Sequence, residues 1–237
     1  NVDAETDVFL QSDNALSLAT INIGDGTNAA VFSGSINMGN QAATFATVSL
    51  AAGGTEIAGN IDLSTQAAGT HQKIINMAAG SKISGNISDT AQATILTVNI
   101  DGNAEISGSI DTGDTTATNI AIDDNMTLTL SGTGTITGGN LDIDLATDSV
   151  LKNTGAKTIV AHFDGAGGGQ GIVDVDANLT VTGGVGNTNI MKSVLIADGV
   201  TLSVSANSGS TNTTLGSTAT GSTATITTAG AITWTDR

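Results

Sequence analysis

The sequence predicts an all-β chain: a right-handed parallel β-solenoid, or β-helix, of about nine coils (237 residues divided by about 25), with 23–26 residues per coil in the first half. Three observations carry that expectation. A short phrase, apolar-x-Gly-x-apolar, recurs with its glycines at 34, 59, 85 and 108, giving steps of 25, 26 and 23 residues. Between these phrases apolar and polar residues alternate with period two, the pattern of a half-buried strand. No run of ten or more residues has the three- and four-residue apolar spacing of a helix.

The stretch Thr97–Ile110 shows the unit in full. Val98 and Ile100 alternate with Thr97 and Asn99, Asp101-Gly102 supplies a tight turn, and Ile106, Gly108 and Ile110 alternate with Ser107 and Ser109. The second half of the unit also occurs as Phe32–Ile36, Ile57–Ile61 and Ile83–Ile87. The first half occurs in phase as Ile21-Asn22-Ile23, Val48-Ser49-Leu50 and Ile75-Asn76-Met77. One such unit cannot bury its apolar side alone and must stack on its neighbours. Its two strands are therefore expected as consecutive sides of one coil, each pairing with its equivalent a repeat away, and not as a hairpin.

In chain order, residues 1–20 read as a leading segment, 21–205 as the solenoid, 206–223 as a Ser/Thr/Gly-rich loop or linker, and 224–237 as a C-terminal strand segment. From Asn119 the spacing is expected to loosen, and Phe163–Gly171 to be a turn-rich loop bulging from the stack. Leucine-rich repeats would need their Leu and Asn positions, and propeller blades are longer and carry aromatic signatures. Here aromatics are 2%.

Composition agrees with stacked strands. There are no prolines, which would remove ladder donors. Charged residues are only 12%, and the β-branched periodicity is sustained, which separates the chain from a disordered one despite 31 glycines. No apolar run approaches the roughly 20 residues of a membrane span. The chain has no cysteine, which excludes disulfides and Cys-ligated metals and favours export. The start at Asn1 suggests processing, so an exported chain after signal cleavage is expected, extracellular or at the cell surface. The net charge of −16, from 22 acidic and 6 basic residues, repels phosphate backbones and anionic membranes. Neither nucleic acid nor membrane insertion is therefore expected.

Chemistry-bearing residues are sparse. His71 and His162 lie far apart without a metal-type cluster, and solvated loop positions are the expectation for both. No Ser-His-Asp set or glycosidase carboxylate pair stands out, so no catalytic residue and no enzyme activity are expected. The run Gly168–Asp174 comes close to a calcium-binding glycine-rich repeat, but its Asp falls one residue late. Asp123, Asp124, Asp174 and Asp176 in acidic turns are candidate Ca²⁺ ligands, calcium being the one cofactor considered. Threonines at 127, 129, 133, 135 and 137 raise ice binding, but the chain's threonines do not fall in phase with the 23–26 residue steps. The N-x-S/T sequons at Asn86, Asn125, Asn178 and Asn212 are of a number expected by chance in a Ser/Thr-rich chain.

The recurring I-S-G-[SN]-I and T-V-x-[IL]-x-x-G phrases over residues 15–205 resemble the passenger regions of bacterial autotransporters, especially the rickettsial surface-antigen type. That resemblance implies an exported solenoid displayed at or shed from the cell surface, in adhesion or as a surface coat touching a host or polysaccharide surface. A solenoid also ends in unpaired strand edges, and no amphipathic capping helix is visible. Val8, Phe9, Leu10, Leu16 and Leu18 at one end, and Ile226, Ile232 and Trp234 at the other, are the candidates for head-to-tail contact between copies. The functional expectation is a structural or adhesive surface protein that self-associates end to end into a filament or layer. The alternatives are a glycan-binding or glycan-cleaving β-helix module and a monomeric autotransporter adhesin passenger.

Overall fold

The computed structural model describes residues 8–9, 18–38, 45–63, 71–89, 94–113, 117–186, 189–205, 208–210, 213–215, 225–228 and 232–234. Every described element is a strand, and the strands pair in parallel, as a solenoid requires. The turns number about seven and not nine. The chain forms two compact units, residues 1–120 with 137–141 and residues 121–136 with 142–237.

In the first unit each coil has three sides. The long side is built from Leu18–Ile23, Phe45–Leu50, His71–Met77 and Thr94–Ile100, each paired with the next, and Ala117–Ile122 follows in the same row. The second side stacks Val31–Phe32, Glu56–Ile57, Lys82–Ile83 and Ala104–Ile106. The third stacks Ile36–Asn37, Ile61–Asp62, Ile87–Ser88 and Ile110–Asp111. Alternation decides which side chains enter: in Phe45–Leu50, Ala46, Val48 and Leu50 are buried while Phe45, Thr47 and Ser49 face outward. Register then aligns equivalent residues into columns, Ile36–Ile61–Ile87–Ile110 on one side and Ile57–Ile83–Ile106 on another, all fully buried. Burial of one such isoleucine is worth about 1.5–3 kcal/mol, so an uninterrupted column is a large share of each coil's stability.

The glycine of the repeated phrase occupies the corner between the second and third sides. A Cβ on Gly85 would lie 1.9 Å from the Gly59 carbonyl oxygen, and one on Gly59 would lie 1.9 Å from that of Gly34. The corners stack backbone upon backbone, and no side chain fits between them. Asparagines beside these corners tie successive coils together: Asn60 Oδ1 accepts the Asn86 amide at 2.9 Å, and Asn86 Oδ1 accepts that of Ser109 at 2.9 Å.

The second unit keeps its register where the sequence suggested loosening. Thr127–Leu130, Val150–Asn153, Gln170–Val175 and Met191–Ile196 pair in succession, with Leu128, Leu151, Val173 and Val194 aligned, steps of 23, 22 and 21 residues. A second row runs through Lys157–Gly165, Leu179–Val181, Thr201–Val204 and Thr225–Thr228. The expected loop at Phe163–Gly171 is shorter than its glycines imply. Phe163 is fully buried within Lys157–Gly165, and strand resumes at Gln170, which leaves residues 166–169 as the turn. Phe163 has the apolar bulk to anchor a strand end that the glycine-rich context concealed.

Candidate functional site

The expected assembly segments are built from strand. Val8–Phe9 pairs with Ile36–Asn37 and so adds a further rung to the third side of the first unit. Leu18 opens the first long strand, paired with Phe45. Leu10 and Leu16 lie outside the described residues. In the second unit Ile226 pairs with Leu202, and Ile232–Trp234 pairs with Ser208–Ser210, which in turn meets Met191. Two short strands, Ser208–Ser210 and Thr213–Leu215, thus fall inside the stretch read from sequence as a loop or linker.

Among the described residues Val31–Phe32 ends its row of strands in the first unit. Glu56 N–H donates to the Ala30 carbonyl at 2.7 Å and Ala58 N–H to the Phe32 carbonyl at 2.8 Å. Alternation of ladder groups along a parallel strand turns the N–H and C=O of Val31, the residue between, toward the outer edge. The Val31 side chain is 58% exposed, the most exposed large apolar residue described.

The four candidate calcium ligands are dispersed. Asp123 and Asp124 lie exposed in a turn, where Asp124 Oδ1 accepts the Thr147 amide of the next coil at 2.9 Å. Asp174 and Asp176 both pair with Lys152, at 2.7 and 2.6 Å, and these bonds raise the Lys152 ammonium above its usual range. Among the described residues no three His, Asp or Glu side chains converge as a metal site would require. His71 and His162 both sit on strands and not in loops; exposed His162 accepts the Gly184 amide through Nδ1 at 3.4 Å. Beside it the Asp142 carboxyl is held above its ordinary range by partial desolvation, Asp144 and Asp164, with His162 opposing.

Two features escaped the sequence reading. The first is a polar inclusion in the core where the third side leads into the next long strand. Register aligns Ala46, Lys73 and Leu96 in one interior column. Lys73 is 0% exposed, its ammonium donates to the Met38 carbonyl, and burial lowers its pKa to about 8, the charge of Asp89 opposing. Asp89 and Thr112, which follow the paired Ser88 and Asp111 on the third side, are buried as well, and Thr112 shares a hydrogen bond of 2.8 Å with Thr118.

The second is the outward surface of the long side. Register aligns Thr20, Thr47, Ile74 and Thr97 in one column, and Asn22, Ser49, Asn76 and Asn99 in the next. Asn99 Nδ2 donates to Asn76 Oδ1 at 2.8 Å, and Asn76 Nδ2 to Ser49 Oγ at 3.2 Å, which fixes the amides coil to coil. Thr20, Thr47 and Thr97 are thus in phase, contrary to the expectation that the threonines are not. Thr127 and Thr129, by contrast, align with Val150 and Lys152 and form no threonine column.

Comparison of the chain with family models, with curated proteins and with solved structures found no match.

Proposed function

We propose that this chain is an extracellular structural or adhesive surface protein that assembles end to end, through its strand edges, into a filament or surface layer. The observation that carries the reading is the edge at Val31, where a backbone donor and acceptor point along the ladder away from the neighbouring strand and an exposed apolar side chain stands beside them on the sheet face. An edge of that kind is a template for another parallel strand. Among the described residues the strands Thr225–Thr228 and Ile232–Trp234 end their own rows in the second unit, and they supply the complementary edge from a second copy. Contact between two different edges is heterologous, so it propagates until the supply of copies ends. The repeat phrases that resemble autotransporter passengers favour the same surface setting.

Electron microscopy of the purified chain over a range of concentrations tests the reading. Wild type forms filaments that lengthen with concentration. Val31→Pro, which removes an edge donor without touching the ladder inside the coil stack, leaves short particles. Short particles of constant length from wild type at every concentration would overturn the proposal.

A further inference from the structure

We propose that the outward face of the long side in the first unit is a second self-association surface, on which another copy docks face to face and laterally. Charge is the first argument. The chain carries −16, so two copies approach closely only through a surface that adds no like charge. The second side of this unit bears Glu56, Lys82 and Glu105 in one column, and the third bears Asp62 and Asp111. On the long side the outward positions are Thr20 and Asn22, then Phe45, Thr47 and Ser49, then Gln72, Ile74 and Asn76, then Ile95, Thr97 and Asn99, with no ionisable group among them.

The arrangement of that face is the second argument. Half-buried Ile74 stands between Thr47 and Thr97 in its column and between Gln72 and Asn76 along its strand, while Phe45, 40% exposed, and half-buried Ile95 lie on either side of Gln72 in the adjoining column. Apolar side chains set among uncharged polar ones match the core of a protein interface, from which charged residues are depleted. A two-fold axis near Ile74 brings Ile74 of each copy together and sets the coil of Thr47 against that of Thr97, as an isologous contact requires. Four strands about 4.8 Å apart and six residues long at about 3.3 Å each give a face of roughly 400 Å². That is about half of what each partner buries in a standard interface, so the lateral contact is a weak one that gains strength when several copies are already joined.

Because the chain has no cysteine, a single introduced thiol reports the contact. Ile74→Cys under mild oxidation is expected to give a disulfide-linked dimer, several-fold above the yield from Glu105→Cys on the second side. The yield is expected to rise with salt, which screens the repulsion between two acidic chains. Sedimentation of the Val31→Pro chain shows the same salt-promoted association, and adding Ile74→Glu in that background abolishes it. The cross-linking is repeated in the Val31→Pro background, where end-to-end growth is blocked and the lateral dimer persists. Equal cross-linking at 74 and 105, no dimer at 74, or a dimer that dissociates as salt rises would each overturn the proposal.

Discussion

Replacing Lys73 by Met isolates the energetic consequence of an ammonium placed inside a stack of aliphatic columns. The side chain is 0% exposed, and burial lowers its pKa from 10.5 to about 8. At about 1.4 kcal/mol per pH unit, that difference corresponds to a penalty of about 3 kcal/mol on the folded state when the amine is protonated in both states. The sign follows from proton counts. Below pH 8 folded and unfolded chains both hold the proton, and the penalty is fully present. Between pH 8 and 10.5 the unfolded chain holds more, so stability rises with pH, and the penalty is gone above 10.5. Met keeps most of the stem's volume but leaves the Met38 carbonyl without its donor, at about 1–3 kcal/mol. Lys73→Met is therefore expected to be equal to wild type or more stable by up to about 2 kcal/mol at pH 7. By pH 10.5 it is expected to have lost about 3 kcal/mol relative to wild type. Urea unfolding of both chains at pH 7, 8.5 and 10.5 reads the difference directly, and subtraction removes the titration of the other lysines. A stability difference that does not change between pH 7 and 10.5 would refute the account of a desolvated amine.

Three further outcomes follow from the same geometry. Gly85→Ala places a Cβ 1.9 Å from the Gly59 carbonyl, and thermal melting is expected to show a loss of several kcal/mol; Gly168→Ala, with nothing within 4 Å, should melt within about 0.5 kcal/mol of wild type. Lys152→Ala removes two ion pairs from side chains 22–39% exposed, so it is expected to cost only about 0.5–1 kcal/mol, an effect that shrinks in high salt. Asn86→Ala leaves the Ser109 amide without its acceptor, and should cost about 1 kcal/mol and speed hydrogen exchange at Ser109.

How much of this was legible in the sequence depends on where a coil varies in length. The corner phrase is rigid because Gly59, Gly85 and Gly108 each sit on the backbone of the preceding coil, so its period is visible at once. The long side is equally regular in space but not along the chain. The turn leading from it to the second side takes seven residues in the first coil (24–30), five in the second (51–55) and four in the third (78–81). The long-side steps are accordingly 27, 27 and 23, from Thr20 to Thr47 to Ile74 to Thr97, against 25, 26 and 23 at the corner. Turn length absorbed the difference, and with Ile74 standing in the threonine column the face was hidden. Lys73 was hidden for another reason. Its neighbours His71 and Gln72 make the start of that strand look solvated, and only pairing with Ala46 and Leu96 shows that position 73 points inward. The acidic turns misdirected attention because composition cannot show that Lys152 lies between Asp174 and Asp176.

End-to-end growth through strand edges continues the inter-strand hydrogen bonds of each coil stack from one copy to the next. The direction of those bonds then lies along the filament, with strands about 4.8 Å apart. X-ray diffraction from oriented filaments of the purified chain is the most direct test. The account predicts a reflection at about 4.8 Å on the meridian, parallel to the filament axis, and its absence from Val31→Pro preparations. Filaments whose 4.8 Å reflection lies on the equator, or a chain that yields no filaments at any concentration, would contradict it.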